Sequence, residues 1–201
     1  MEKINVAILG YGNLGKGVEI GLKNAEDMNL VGVFTRRDPS TVKSETKAYH
    51  IDELANFKDK IDVLIMCGGS KSDIPEQGPI MAKDFNTVDS FDTHAKVPAY
   101  FDKMNEISLQ NKKVSIISTG WDPGLFSIHR VLAQAVLPQG ETYTFWGKGV
   151  SQGHSDAVRR IKGVKAAKQY TIPNTELVEQ IKNKNHVEYQ NNTAHKREVF
   201  V

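Results

Sequence analysis

Cysteine is almost absent from this sequence: Cys67 stands alone among 201 residues. A single thiol permits no intrachain disulfide and no zinc–thiolate cluster, which favours a reducing compartment, the cytoplasm. Excess charge is also lacking. A formal net charge of +2 is too small to argue for a nucleic acid or an anionic membrane as partner. Long apolar runs are missing, so no segment reads as a bilayer span. Met1-Glu2-Lys3 leads straight into an apolar strand, leaving no room for the charged region and cleavage site of a signal peptide. The histidines are scattered. No spacing of His, Cys, Asp and Glu suggests a metal site, and no Ser–His–Asp or Cys–His array is apparent. Repeats and low-complexity tracts are absent as well. What remains is 39% hydrophobic and 25% charged, the balance of a soluble globular chain with a real core. The length suits one large domain, or one domain and part of a second.

The stretch Ile4-Asn5-Val6-Ala7-Ile8-Leu9-Gly10-Tyr11-Gly12-Asn13-Leu14-Gly15 organises the rest. It reads as a buried strand, a glycine turn and the start of a helix, with Gly10, Gly12 and Gly15 in the G-x-G-x-x-G spacing of a dinucleotide-binding turn. Gly10 allows a sharp turn off the strand, and Gly12 lets bare backbone approach a pyrophosphate. Gly15 lets the helix pack closely, so that its N-terminal N–H groups and dipole face the phosphates. The alternative is a strand–turn–helix whose glycines serve packing alone.

Helical periodicity covers Lys16 to Asn24, and Leu30-Val31-Gly32-Val33-Phe34 suits a buried parallel strand. At its end, about 20 residues past the turn, a protein specific for NAD usually places a carboxylate on the ribose 2′-hydroxyl. Here the residues are Thr35-Arg36-Arg37. A hydroxyl and two guanidinium groups suit a 2′-phosphate, so NADP is the expected cofactor. Two competing readings are arginines that are merely solvated, and Asp38 serving a 2′-hydroxyl.

Lys43 to Ala48 reads as polar loop and Ile51 to Phe57 as a short helix. Strands are expected at 61–67, 86–92 and 113–119, and helices from Ser72 onward and over Ala99 to Asn111. This alternation marks residues 1–120 as an α/β, doubly wound parallel-sheet (Rossmann) nucleotide domain. Gly69 and Ser70 follow one strand, where they could line the cofactor through backbone N–H and hydroxyl. Cys67 beside them reads as a small buried hydrophobe. Residues 121–201 read as part of a second, α+β domain. Leu125 to Leu137 is expected to be helix, and Glu141 to Val150 has strand character. Residues 151–154 are expected to be loop, with a helix after Ser155 or Asp156. Strands follow at Gln169–Ile172 and from Arg197, with a polar stretch over 183–192 between them.

Asp92 and Asp122 both follow strands of one parallel sheet, so both can reach its carboxyl edge. Paired carboxylates there suit an ammonium group, or proton transfer to and from an amine. From spacing alone a turn or helix-cap aspartate is the favoured reading of each. Trp121 and Trp146 could exclude water from a hydride-transfer site or simply fill space. Arg197 could clamp a substrate carboxylate or be a surface charge. His154 reads as structural.

Several stretches together resemble the NADP-dependent meso-diaminopimelate D-dehydrogenase family. They are Val6 through Gly15, Arg36-Arg37, Asp73-Ile74-Pro75-Glu76-Gln77, Ser118-Thr119-Gly120-Trp121-Asp122-Pro123-Gly124 and Thr144-Phe145-Trp146-Gly147. Ser151-Gln152-Gly153-His154-Ser155-Asp156-Ala157, Arg159-Arg160 and His195-Lys196-Arg197 complete the set. The resemblance implies reversible oxidative deamination at the D-centre of meso-2,6-diaminopimelate, in lysine and diaminopimelate biosynthesis. It also implies that Asp92, Trp121 and Asp122 surround the reacting centre. Trp146, Gln152, Gly153, Thr171 and Arg197 would shape the pocket and hold the distal L-centre. Residues 121–201 would then be an incomplete dimerisation/substrate-binding domain of a homodimer. Family chains run further and carry a His and an Asn for the L-centre, so this chain is expected to be a fragment. A non-catalytic NADP-binding module and a D-amino-acid dehydrogenase of wider specificity are the competing functions.

Overall fold

A computed structural model describes residues 2–143, 147–183, 187–188 and 193–201. Compact units cover Met1–Gln139 and Gly140–Val201. The first unit contains the turn after Ile117 and the helix that follows it, so both are described with the nucleotide-binding sheet.

In the first unit six parallel strands stand in the order β3-β2-β1-β4-β5-β6. They are β1 (Ile4–Leu9), β2 (Met28–Thr35), β3 (Ala48–His50), β4 (Val63–Met66), β5 (Asn86–Asp89) and β6 (Ser115–Ile116). This order reverses direction at β1/β4, the switch point where open α/β sheets bind ligands. Helices α1 (Asn13–Lys23), α2 (Ile74–Met81), α3 (Val97–Asn111) and α4 (Phe126–Val136) complete the unit. Successive strand residues point to opposite faces. Ala7 and Leu9 accordingly join Phe34, Leu64, Met66, Ile74 and Met104 in one buried cluster, while Ile8 joins Val33, Tyr11 and Cys67 in another. Because both faces are covered, the strands are continuous apolar runs.

The expected strands all form, but several are shorter. The run expected over 86–92 is paired only to Asp89, and that over 113–119 only at Ser115–Ile116. Ile116 is 54% exposed, as befits a short edge strand. β3 was not anticipated; three residues next to a polar loop give too little alternation to read.

The second unit has an antiparallel sheet, β7 (Gly149–Val150), β8 (Lys168–Pro173) and β9 (His195–Phe200), in that order. It also has helices α5 (Gln152–Arg159) and α6 (Thr175–Lys182). Residues 151–154 are therefore not a loop. Ser151 is extended, and the first helical bond runs from Ser155 N–H to Ser151 C=O at 2.9 Å, which starts the helix at Gln152. Of the strand expected over 141–150, Gly149–Val150 pairs with β8; Thr144, Phe145 and Trp146 lie outside the described residues. Most of the polar stretch over 183–192 also lies outside them.

Candidate functional site

At the carboxyl ends of β1, β2 and β4 a cavity of about 300 Å3 opens. Gly10, Tyr11, Gly12, Thr35, Arg36, Arg37 and Gly69 form its walls, together with Leu9, Ile51, Cys67, Gly68, Asp73 and Gln77. Seven of the expected cofactor residues therefore meet at one place. Gly15 lies under the cavity, buried in α1, while Asn13 and Leu14 face solvent at its first turn. Ser70 is turned elsewhere: its Oγ accepts the Asp92 N–H at 2.7 Å.

The glycine turn has the shape that an anion needs. Gly10 has φ +94°, and a Cβ on Gly15 would lie 2.4 Å from the Gly10 carbonyl oxygen. A Cβ on Gly12 would meet nothing within 4 Å. That open side, above a helix start with no acidic residue and no side-chain cap, fits a pyrophosphate.

Tyr11 is pinned from two sides. Its hydroxyl donates to the Glu19 carboxylate, and its carbonyl accepts from Arg37 Nη2 at 2.6 Å. Glu19 is only 4% exposed. It also accepts from Ser44 Oγ at 2.8 Å and Thr46 N–H at 3.1 Å. Burial alone would raise its pKa, but the donors from Tyr11, Ser44 and Thr46 together hold it below the usual carboxylate range.

Arg36 Nη2 meets Asp73 Oδ1 at 2.8 Å, and the other Asp73 oxygen accepts the Gly69 N–H at 2.9 Å. The competing use of Asp38 for a ribose hydroxyl finds no support. Its carboxylate accepts from Ser40 Oγ and Ser40 N–H, which lowers its pKa and caps the turn Pro39–Thr41. Desolvation pushes the Cys67 thiol up to about 12, so this cysteine is the buried hydrophobe expected.

Asp92 and Asp122 follow the neighbouring strands β5 and β6. Asp92 is exposed and Asp122 is half-buried. Arg130, on α4, holds Asp122 through Nη2–Oδ1 at 2.6 Å and Nη1–Oδ2 at 3.4 Å. Trp121 is 66% exposed, its ring stacked on Phe126. The cis Asp122–Pro123 peptide and Gly124, at φ +128°, shape the turn between them.

In the second unit Thr171 lies directly opposite Arg197 across the β8–β9 ladder, so the two share a face. Gln152 and Gly153 form the exposed first turn of α5. Trp146 lies outside the described residues.

The sequence reading assigned no site role to Glu19, Asp73 or Arg130. Asp73 entered only within a helix start and the family-like stretch Asp73–Gln77, and nothing in a linear pattern pairs it with an arginine 37 positions away. Among the described residues no cluster of His, Cys, Asp and Glu could hold a metal ion, and no helix is long and apolar enough to cross a membrane.

The strand order, the glycine turn and the cavity above it define a dinucleotide-binding protein of the Rossmann class. Within that class the chain is similar, by sequence and fold, to the meso-diaminopimelate D-dehydrogenases. The family model for the diaminopimelic acid dehydrogenase C-terminal domain matches residues 120–201. A meso-diaminopimelate D-dehydrogenase of Ureibacillus thermosphaericus is 59% identical over 100% of this chain and 62% of its own length. That of Corynebacterium glutamicum is 45% identical, again over 100% of this chain and 62% of its own. The solved C. glutamicum enzyme in complex with DAP superposes with a TM-score of 0.92 at 45% identity, covering 99% of this chain and 62% of that one. An engineered D-amino acid dehydrogenase bound to NADP+ gives a TM-score of 0.91 at 43% identity, covering 98% and 61%. The chain thus spans about three-fifths of the length of these relatives.

Proposed function

We propose that this chain is part of an NADP-dependent amino-acid dehydrogenase acting on the D-centre of meso-2,6-diaminopimelate. The products are L-2-amino-6-oxopimelate and ammonia, and the reaction is reversible. The observation that carries the reading is the meeting of the glycine turn with Thr35, Arg36 and Arg37 in the walls of one cavity. Likeness along all of this chain, and 62% of their own length, to proteins of that name supports the substrate.

When bound, the nicotinamide supplies the hydride acceptor. The D-carbon gives up a hydride and its nitrogen a proton, and water hydrolyses the resulting imine to ketone and ammonia. The chain's residues bind, orient and shield. Gly12 and the first turn of α1 take the pyrophosphate. Thr35, Arg36 and Arg37 take the 2′-phosphate, where charge-assisted bonds are strongest. Asp92 and Asp122 face the ammonium group and handle its proton, and Arg130 keeps the Asp122 carboxylate aimed. Trp121 shields the reacting carbon. Trp146, Gln152, Gly153, Thr171 and Arg197 hold the distal L-centre, and the cross-strand pairing of Thr171 and Arg197 suits that task. We place the enzyme in the cytoplasm and read it as a homodimer. The exposed apolar side chains of Ile128, Val131, Leu132 and Val136 on α4 support the latter.

The test is a spectrophotometric assay with meso-diaminopimelate and NADP. Growth of the reduced-nicotinamide band is expected. NADP binding without such growth would replace this reading with a non-catalytic binding module. A panel of other D-amino acids in the same assay measures strictness, and equal rates across the panel would contradict the assignment of substrate.

A further inference from the structure

A buried carboxylate that touches neither cavity nor solvent links the two loops assigned to the amine. Asp89, the last residue of β5, is 1% exposed. Its Oδ1 accepts the N–H groups of Phe91 at 2.9 Å and Ser118 at 3.0 Å. Its Oδ2 accepts the Tyr100 hydroxyl of α3 at 2.8 Å. Its main-chain carbonyl accepts both the N–H and the Oγ of Thr119, at 2.8 and 2.6 Å. One residue therefore fastens the loop that carries Asp92 to the turn that carries Trp121 and Asp122, and braces both against a helix.

The surroundings are shaped around this node. A Cβ on Gly78 of α2 would fall 2.2 Å from the Tyr100 hydroxyl, so glycine alone leaves room for it. The Tyr100 ring packs on Phe91 at 4.4 Å between centroids. Burial, followed by the Asp89 charge, raises the Tyr100 pKa strongly, so the phenol stays a donor throughout the working pH range. Ser118 is held at φ +57°, a left-handed conformation that costs a non-glycine residue free energy and persists only where surroundings enforce it. The Asp89 carboxylate, bonded to the Ser118 N–H, supplies that enforcement.

We propose that Asp89, braced by Tyr100, is a positioning residue that sets the separation and aim of Asp92 and Asp122. This deepens the proposed dehydrogenase function and rests on it for the catalytic consequence, whereas the mechanical coupling stands on geometry alone. Neither residue is among those lining the cavity of the glycine turn and the arginines, so cofactor affinity is expected to change little.

Two variants test it, Tyr100→Phe as the mild one and Asp89→Asn as the isosteric one that removes the charge. Amide hydrogen exchange read by mass spectrometry should show peptides carrying Phe91–Asp92 and Ser118–Thr119 exchanging together, on the order of tenfold faster than in the parent. Peptides over Gly10–Gly15 should be unchanged. In the deamination assay kcat should fall about tenfold to a hundredfold, since small misplacements of reacting groups carry that cost. The NADP dissociation constant should stay within about twofold. Faster exchange in one loop alone would overturn the coupling. Joint loosening with kcat unchanged in the folded variant would overturn the positioning role and leave Asp89 merely structural. A parent that binds NADP without turnover would refute the dehydrogenase reading, and the exchange data would still decide the coupling.

Discussion

Helix α1 contains three glycines whose surroundings differ sharply, which makes alanine scanning of one helix a test of the phosphate-turn geometry. At Gly15 an added methyl would sit 2.4 Å from the Gly10 oxygen, nearly an ångström closer than carbon and oxygen tolerate. The oxygen cannot retreat easily. Gly10 N–H is bonded to the Phe34 carbonyl at 2.8 Å, and Gly68 N lies only 3.1 Å from where a Gly10 Cβ would be. Relief must come from moving the first turn of α1. Overpacking of this kind costs about 1–3 kcal/mol, against about 1 kcal/mol regained from helix propensity. Gly15→Ala should therefore destabilise by up to about 2 kcal/mol, lowering Tm by up to roughly 4–8 °C for a chain of this size. It should also weaken NADP binding by tenfold or more, because the displaced turn is the proposed phosphate cradle. Gly17 and Gly21 lie on the exposed side, where an added methyl meets nothing within 4 Å. Gly17→Ala and Gly21→Ala should each stabilise by about 0.5–1 kcal/mol and leave binding intact. Denaturant melts and a fluorescence titration with NADP read both quantities. If Gly15→Ala matches Gly17→Ala in stability and affinity, the close-approach argument is wrong.

Asp122→Asn should depress turnover by a hundredfold or so, the usual scale for losing a positioned acid–base group, with little effect on the NADP dissociation constant; unchanged turnover would remove it from the mechanism. Cys67 supplies a pH test. Its thiol stays neutral in the folded chain up to about 12, while the unfolded chain ionises from its ordinary value near 8.5–9. The folded pKa is raised, so the stabilisation is complete below the unfolded value and is lost as pH climbs toward 12. Urea melts from pH 8 to 11 should show stability falling by up to about 1.4 kcal/mol per unit. Cys67→Ala should flatten part of that fall, and an identical pH slope in the variant would refute the assignment. Iodoacetamide at pH 8 should label Cys67 only in the unfolded chain; rapid labelling of the native form would contradict its burial.

The nucleotide-binding sheet was readable because buried parallel strands are unbroken apolar runs closed by small residues, as in Val6–Leu9 and Val63–Met66. The helix expected after Ser155 or Asp156 forms, but its start at Gln152 was not readable, because Gly153 is a poor helix former and Ser155 and Asp156 offer rival caps a few residues on. The helix Thr175–Lys182 was passed over although Asn174 marks its start, accepting from Glu176 N–H at 3.1 Å. The members of the candidate site could be picked out one at a time, through residue type at strand ends. Their partners could not. Asp73 for Arg36, Arg130 for Asp122 and Tyr100 for Asp89 are pairings made by tertiary structure, and no period in the sequence encodes them.

The cofactor that fills the cavity beside Arg36 and Arg37 decides the proposed function. Calorimetric titration of NADP and NAD into the parent chain and into Arg36→Ala/Arg37→Ala measures it directly. Charge-assisted bonds to a 2′-phosphate are each worth about 1.5–3 kcal/mol. The double variant should therefore lose a hundredfold or more in NADP affinity and only a few-fold for NAD. Equal losses for the two cofactors would show that these arginines do not read a 2′-phosphate.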